Sequence, residues 1–251
     1  MSEPPATARP GPVLLVSATS FEVEPLLRQA EIVVDATAGG WPDLRRGRLG
    51  GAEVVFLATG LGKANAAAAI AAAAAALASR PAPAAPPRLV LQVGIGGAYP
   101  GSGLSLGAAA IAASEFDLDL GVGSGEEWRG LEALGFPLLA GGPPIYNLIP
   151  VSLEPSRRAA AAAAAALVPF ATSDRVTAGP REAGRIARRH GVAVESMEGA
   201  ATAQVCLALG LPFVEIRGIS NAVGQRDKAA WDVPGAVTAA CLAAAAALAV
   251  L

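Results

Sequence analysis

Five short segments of this chain collect the residue types that chemistry on a small polar molecule requires. They are Ala18-Thr19-Ser20-Phe21-Glu22-Val23-Glu24, Thr59-Gly60-Leu61-Gly62-Lys63, Gly94-Ile95-Gly96-Gly97-Ala98, Glu195-Ser196-Met197-Glu198-Gly199 and Arg217-Gly218-Ile219-Ser220-Asn221. Glu22 is a candidate general base, or a first-turn carboxylate favoured by the positive end of a helix. Glu198 stands in an apolar setting, where a carboxylate is costly to bury unless something pairs with it. Asn221 offers an acceptor and two donors to a ligand, or caps the turn after a strand. Gly94, Gly96 and Gly97 form a tight turn, or let backbone approach a ligand closely.

Several chemistries are excluded. Gly60-Leu61-Gly62-Lys63 lacks the spacing of a P-loop, and Gly94-Ile95-Gly96-Gly97-Ala98-Tyr99 misplaces the third glycine of the dinucleotide fingerprint. One histidine, His190, and two distant cysteines, Cys206 and Cys241, make no zinc ligand set. A Ser-His-Asp triad would have to use His190, at the end of the basic helix Arg181–Arg189, a poor place for a buried base. No metal and no cofactor is expected.

The elements that must position these residues alternate along the chain. Strands are predicted at Val13–Ser17, Glu31–Ala36, Glu53–Thr59, Leu89–Val93, Ala108–Ala113, Val168–Ser173, Val192–Glu195 and Phe213–Ser220, with Arg45–Gly51 as a hairpin arm. Helices are predicted from Ser20 to Gln29, Ala64–Ser79, Pro155–Leu167, Pro180–His190, Met197–Leu209 and Val233–Ala249. Pro81–Pro87 reads as a loop, and the Gly/Pro-rich stretch 121–150 as a surface excursion, a lid or an oligomer contact. Continuous apolar strands such as Val13–Ser17 imply a sheet covered on both faces. The fold class is therefore α/β: a single-domain, three-layer α/β/α sandwich with a mixed, largely parallel central sheet. Residues 1–12 form a disordered tail and 13–251 the domain. In such a sheet, ligands bind beyond the carboxyl ends of the strands, where four of the five segments directly follow strands and the Glu195–Gly199 segment precedes a helix.

Composition narrows the partners. With 19 Lys+Arg against 21 Asp+Glu over 251 residues, the chain has no basic surplus for tracking phosphates, so no nucleic acid is expected. The mean hydropathy of +0.47 is inflated by alanine, about a quarter of the residues. The longest uncharged run, Gly235–Leu251, is mostly Ala and falls short of the ~20 strongly apolar residues of a spanning helix, so no membrane is expected. Met1–Pro12 has no signal-peptide pattern, and two buried thiols suit a reducing cytoplasm.

Taken together and in order, the five segments resemble the purine nucleoside phosphorylase / nucleosidase superfamily. Three further stretches resemble its futalosine hydrolase branch: Ser114-Glu115-Phe116 running to Asp119-Leu120-Gly121-Val122, then Leu134-Gly135-Phe136-Pro137, then Ser220–Asp227 with Trp231. The resemblance implies a nucleosidase that splits futalosine to hypoxanthine and dehypoxanthine futalosine in the alternative menaquinone route. It implies that Glu22 activates water, with Glu24 in reserve. Met197 and Glu198 hold the ribose, Ile95, Gly96 and Gly97 line the sugar and base, and the segment Asp174–Thr177, with Val176, borders the purine. Arg217 is implied to orient carboxylates. Adenine-specific members carry Asp where this chain has Asn221. An amide donates to the O6 or N7 of a 6-oxopurine, whereas a carboxylate facing O6 opposes two acceptors. That difference disfavours aminodeoxyfutalosine, methylthioadenosine and adenosylhomocysteine. A phosphorylase would need an anion site, for which Arg45, Arg46 and Arg48 are candidates; a nucleoside-binding protein without catalysis is the non-enzyme alternative. The partner is a small-molecule nucleoside, and the resemblance implies a homo-oligomer.

Overall fold

The computed structural model describes residues 11–35, 41–79 and 85–251. The expected N-terminal tail falls mostly outside these residues, as does part of the Pro81–Pro87 loop. Ten strands occur among the described residues: β1 (Val13–Ser17), β2 (Glu31–Asp35), β3 (Leu44–Leu49), β4 (Ala52–Ala58), β5 (Leu89–Ala98), β6 (Ala109–Asp117), β7 (Leu148–Pro150), β8 (Ala166–Thr172), β9 (Val194–Ser196) and β10 (Phe213–Ala222). Six helices accompany them: α1 (Glu24–Gln29), α2 (Lys63–Ala78), α3 (Leu153–Ala163), α4 (Pro180–His190), α5 (Gly199–Leu209) and α6 (Val233–Leu248).

β1 shows why its apolar run is unbroken. Val13 and Leu15 join one core with α3 and α6, while Leu14 and Val16 join a second with α2 and α5. Alternate side chains leave a strand on opposite faces, so a sheet covered by helices twice must be apolar at every position. Alanine-rich α2 and α6 suit these layers, since Ala is the strongest helix former and lets helices approach closely.

The sheet is mixed, as expected, and it also closes on itself. β5 pairs in parallel with β1 on one side and β10 on the other. β10 pairs antiparallel with β6, which continues through β8 and β9 back to β5. A five-stranded ring results, with β1, β4, β3 and β2 extending from it as an open sheet.

Three local expectations change. The Gly94–Gly97 run is no turn: it continues β5, paired through Gly94, Ile95, Gly96 and Gly97 with β10. The first helix is split. Ser20–Val23 is a 3₁₀ turn with Thr19, not Ser20, at its cap, and α1 begins at Glu24. Pro25 lacks the N–H that would continue one ladder through this point. The late helix begins at Gly199 rather than Met197, because β9 extends to Ser196 through pairing with β5 and β8.

Candidate active site

The carboxyl ends of these strands surround a cavity of about 260 Å³. Every residue expected at the site lines it: Glu22, Ile95, Gly96, Gly97, Val176, Met197, Glu198 and Asn221. Ala18, Thr19, Phe21, Leu61, Glu195, Ser196, Arg217, Ser220 and Trp231 complete the lining.

Glu22 lies in the 3₁₀ turn after β1 and is 5% exposed. One carboxylate oxygen accepts from the Thr19 backbone N–H at 2.9 Å and from its hydroxyl at 2.8 Å. The other accepts from the Ile95 N–H at 3.1 Å. The first set follows from sequence spacing, a carboxylate reaching back three residues to cap its own turn. The second requires β5 alongside. Glu24, the reserve candidate, is exposed and paired with Arg28 at 2.8 Å, outside the cavity.

Glu198 sits just before α5 and is 2% exposed. It accepts from the Gly62 N–H at 3.1 Å and from Arg217 Nη2 at 3.2 Å. Burial pushes its pKa up, and the Glu22 and Glu215 charges add to that, while Arg217 and the Gly62 N–H oppose it. Arg217 is itself 1% exposed. Its Nε donates to Glu215 at 2.8 Å and its Nη1 to the Ile95 carbonyl at 3.2 Å. Burial works against the guanidinium charge, yet Glu215, Glu198 and Glu22 outweigh it and hold its pKa above the ordinary value. Gly94 makes this close approach possible. A Cβ there would lie 2.6 Å from Arg217 Nη1 and 2.7 Å from Glu22 Oε1.

Asn221, which lines the same cavity, accepts at Oδ1 from the Ser220 hydroxyl at 2.8 Å and donates from Nδ2 to the Ala222 carbonyl at 3.0 Å. An amide nitrogen has two protons, so one remains to meet an acceptor in the cavity. The neighbouring loop carrying Val176 is held by Glu195, which accepts from the Thr177 N–H at 3.1 Å, the Thr177 hydroxyl and the Tyr99 hydroxyl. Phe21, Leu61 and Val176 leave an apolar rim, each more than a third exposed. Trp231 borders the same cavity, with the Arg226 guanidinium 5.5 Å above its ring.

Lys63 braces this loop from behind. Its Nζ reaches Asp117 at 2.9 Å and Asp119 at 2.8 Å, and its backbone N–H donates to Asp174 at 2.8 Å. Asp119 in turn accepts from the Ser173 hydroxyl and the Asp174 N–H. Burial opposes the Lys63 charge, but the two aspartates prevail and raise its pKa. Replacing Lys63 with Met should therefore loosen the 173–177 loop. We expect KM for a ligand of this cavity to rise about three- to tenfold, the worth of roughly one hydrogen bond, with kcat nearly unchanged. Steady-state kinetics checks this, and an unchanged KM would refute the bracing role.

Sequence reasoning missed Glu195, Glu215 and Lys63 as parts of this site. Glu215 and Arg217 carried a readable signal: two opposite charges, two apart, inside an apolar strand, and hence on one face. His190 lies away from the cavity, its ring 4.3 Å from that of Phe116 and 5.5 Å from that of Trp128. Burial and then the Arg189 and Arg185 charges push its pKa down to about 4. Among the described residues, no acidic, histidine or cysteine cluster could hold a metal, and no helix is long and apolar enough to cross a membrane.

The chain is 42% identical to the futalosine hydrolase of Thermus thermophilus over 111 residues, 44% of this chain and 49% of that protein. It is 41% identical to the futalosine hydrolase of Streptomyces coelicolor over 69 residues, 27% of this chain and 29% of that one. The matched stretches thus span about half the length of these relatives or less. Among solved structures, a 5'-methylthioadenosine/S-adenosylhomocysteine nucleosidase from Neisseria meningitidis, in complex with methylthio-immucillin-A, superposes with a TM-score of 0.76. Its identity is 24%, over 95% of this chain and 99% of that chain. The futalosine hydrolase of Helicobacter pylori gives a TM-score of 0.77 at 17% identity, over 96% and 98% of the two chains. A family model described as the phosphorylase superfamily matches residues 12–251. That match takes in every strand and helix around the cavity, and the chain belongs to the phosphorylase superfamily.

Proposed function

We propose that this protein hydrolyses the N-glycosidic bond of futalosine, releasing hypoxanthine and dehypoxanthine futalosine. The observation that carries the reading is the shared cavity, which Glu22, Glu198 and the Asn221 amide all line. The names of the sequence relatives support the choice of substrate.

In this mechanism the glycosidic bond loosens toward a ribosyl oxocarbenium ion. Glu22 takes a proton from a water that attacks the anomeric carbon. Glu198 accepts hydrogen bonds from the ribose 2′- and 3′-hydroxyls, a charge-assisted grip that Arg217 sustains by favouring the ionised carboxylate. Met197 packs its thioether on the sugar. The free Asn221 N–H donates to O6 or N7 of the departing purine, where negative charge develops. Asn221 cannot supply a proton, so N7 is protonated by water or through a relay.

A phosphorylase reading finds little support. Arg217 is the one cation among the cavity-lining residues, and Glu198 and Glu215 already engage it. Arg45, Arg46 and Arg48 lie on β3, on Asp43, Glu53 and the Gly51 carbonyl. Likeness of fold does not separate the two substrates, since both kinds of solved neighbour superpose equally well, and Asn221 opposes the methylthioadenosine reading.

Chromatography of the bases released from futalosine, inosine and methylthioadenosine, with and without phosphate, tests the proposal. Hypoxanthine and free sugar from futalosine are expected, independent of phosphate. Adenine release as the faster reaction, or a sugar 1-phosphate, would refute it. Asn221→Asp should lower kcat/KM for futalosine about tenfold or more, since one buried donor–acceptor mismatch costs roughly 1–3 kcal/mol. The ratio of adenine to hypoxanthine release should rise in the same variant.

A further inference from the structure

Behind the cavity floor lie two carboxyl groups that the mechanism above does not use. Glu115 on β6 and Glu215 on β10 are both 0% exposed. Each has one satisfied oxygen: Glu115 Oε2 accepts from the Thr172 hydroxyl at 2.7 Å, and Glu215 Oε1 from Arg217 Nε at 2.8 Å. Each has one oxygen without a partner, Glu115 Oε1 and Glu215 Oε2. These two orphans converge on one point. A Cβ built on Gly199, at the start of α5, would lie 2.5 Å from the first and 2.3 Å from the second. Glycine at 199 is what leaves them facing each other.

Two ionised carboxylates are acceptors only, so as charged groups they would leave both oxygens unsatisfied and repel across the space between them. A single proton removes both penalties, because it turns one oxygen into a donor aimed at the other. We propose that Glu115 and Glu215 share one proton across the space left by Gly199. This acid pair is a positioning element: it holds Glu215 as the acceptor that aims the Arg217 guanidinium at Glu198 and the Ile95 carbonyl.

The surroundings favour that state. Burial, then the Glu215 charge and its hydrogen bond, push the Glu115 pKa well above the carboxylate range, with Thr172 and Arg217 opposing. The groups facing the pair are Thr172 of β8, whose hydroxyl also accepts from the Ala200 N–H at 2.8 Å, Ser196 of β9, and Arg217 of β10. Beyond Arg217 stand Glu198 and Glu22. One guanidinium cannot balance four buried carboxylates; with Glu115 protonated it faces three, two of them at the cavity. Among the described residues no other cation lines that cavity.

The kinetic part of this inference rests on the nucleosidase reading, whereas its spectroscopic part does not. Infrared spectra of the wild-type protein at neutral pH should show the C=O band of a protonated, buried carboxyl. Glu115→Gln should lose one such band. Its amide keeps a donor toward Glu215, so kcat for base release should stay within about threefold of wild type. Glu115→Met removes the donor, and kcat should fall about tenfold, the effect of one hydrogen bond to a charged group. Wild-type kcat/KM should also decline at alkaline pH as the pair loses its proton, and Glu115→Gln should lack that limb. No protonated-carboxyl band in the wild type, or a band unchanged in Glu115→Gln, overturns the shared proton. Equal impairment of Gln and Met variants overturns the positioning role. Should Glu115→Met fail to fold, the band and the pH profile of Glu115→Gln still decide. Absence of base release from every nucleoside would refute the proposed function and leave the spectroscopic result standing on its own.

Discussion

Under the proposed hydrolysis, Glu22→Gln should lower the turnover of futalosine by 10²- to 10⁴-fold while KM stays within a few-fold of wild type. That range is the usual worth of a positioned general base. Glutamine matches the size of Glu22 but cannot take a proton from water. Its local fit is nearly preserved. The amide oxygen can serve either the Ile95 N–H or the Thr19 N–H, and the amide nitrogen can donate to the Thr19 hydroxyl. One backbone donor is left over, at a cost of about 1–3 kcal/mol in stability. Turnover measured beside a thermal melt separates the two effects: a well-folded, binding-competent, slow enzyme is expected. Full turnover in this variant would remove Glu22 from the role of base. Glu24→Gln makes the complementary control, because its side chain is exposed and paired with Arg28, and it should change little.

Arg217→Met should be the most destabilising single change in the site, by about 3–5 kcal/mol, as expected when one partner of a buried ion pair is removed. Methionine fills similar volume but leaves Glu198 and Glu215 as buried charges without their cation. Base release should become undetectable, since Glu198 would then take up a proton and lose one acceptor for the ribose hydroxyls. The pH dependence gives the effect a sign. Without Arg217, the folded-state pKa of Glu198, already raised by burial, rises further above the unfolded value. The folded state then binds more protons than the unfolded one, so the variant recovers stability as pH falls and loses it as pH rises through the raised pKa. Denaturant melts from pH 5 to 8 should show the gap to wild type widening with pH. A constant gap would mean that lost packing, not lost charge compensation, dominates. Arg217→Lys should restore part of the stability without the activity, because an ammonium cannot span Glu198, Glu215 and the Ile95 carbonyl as the fork does.

Much of the architecture was legible in the chain because its signals are local. Apolar runs at Val13–Ser17 and Leu89–Val93, the alanine tracts of α2 and α6, and Pro180 and Gly191 bracketing α4 each act within a few residues. Element ends were less legible where a neighbour decided them. β5 runs on through Gly94–Ala98 because β10 and β9 hydrogen-bond to it there, and nothing within the glycine run announces those partners. The ring closure of β5, β10, β6, β8 and β9 is likewise a property of pairing between distant segments.

The site divides the same way. Sequence alone determined which residue types stand near the strand ends, because strand and helix periods are set by neighbouring residues; the choice of Glu22, Glu198 and Asn221 among them came from the resemblance to the nucleosidase superfamily. Only the tertiary structure decided between Glu22 and Glu24, since one turns toward the Ile95 N–H and the other toward Arg28 in solvent. It alone brought the Gly62 N–H to Glu198 across 136 positions of chain, set Arg217 between two glutamates, and left Glu115 and Glu215 facing each other over Gly199. The reason is physical. A backbone conformation is fixed by forces acting within a turn, but the state of a buried charge is fixed by whatever else the fold delivers within a few ångströms of it.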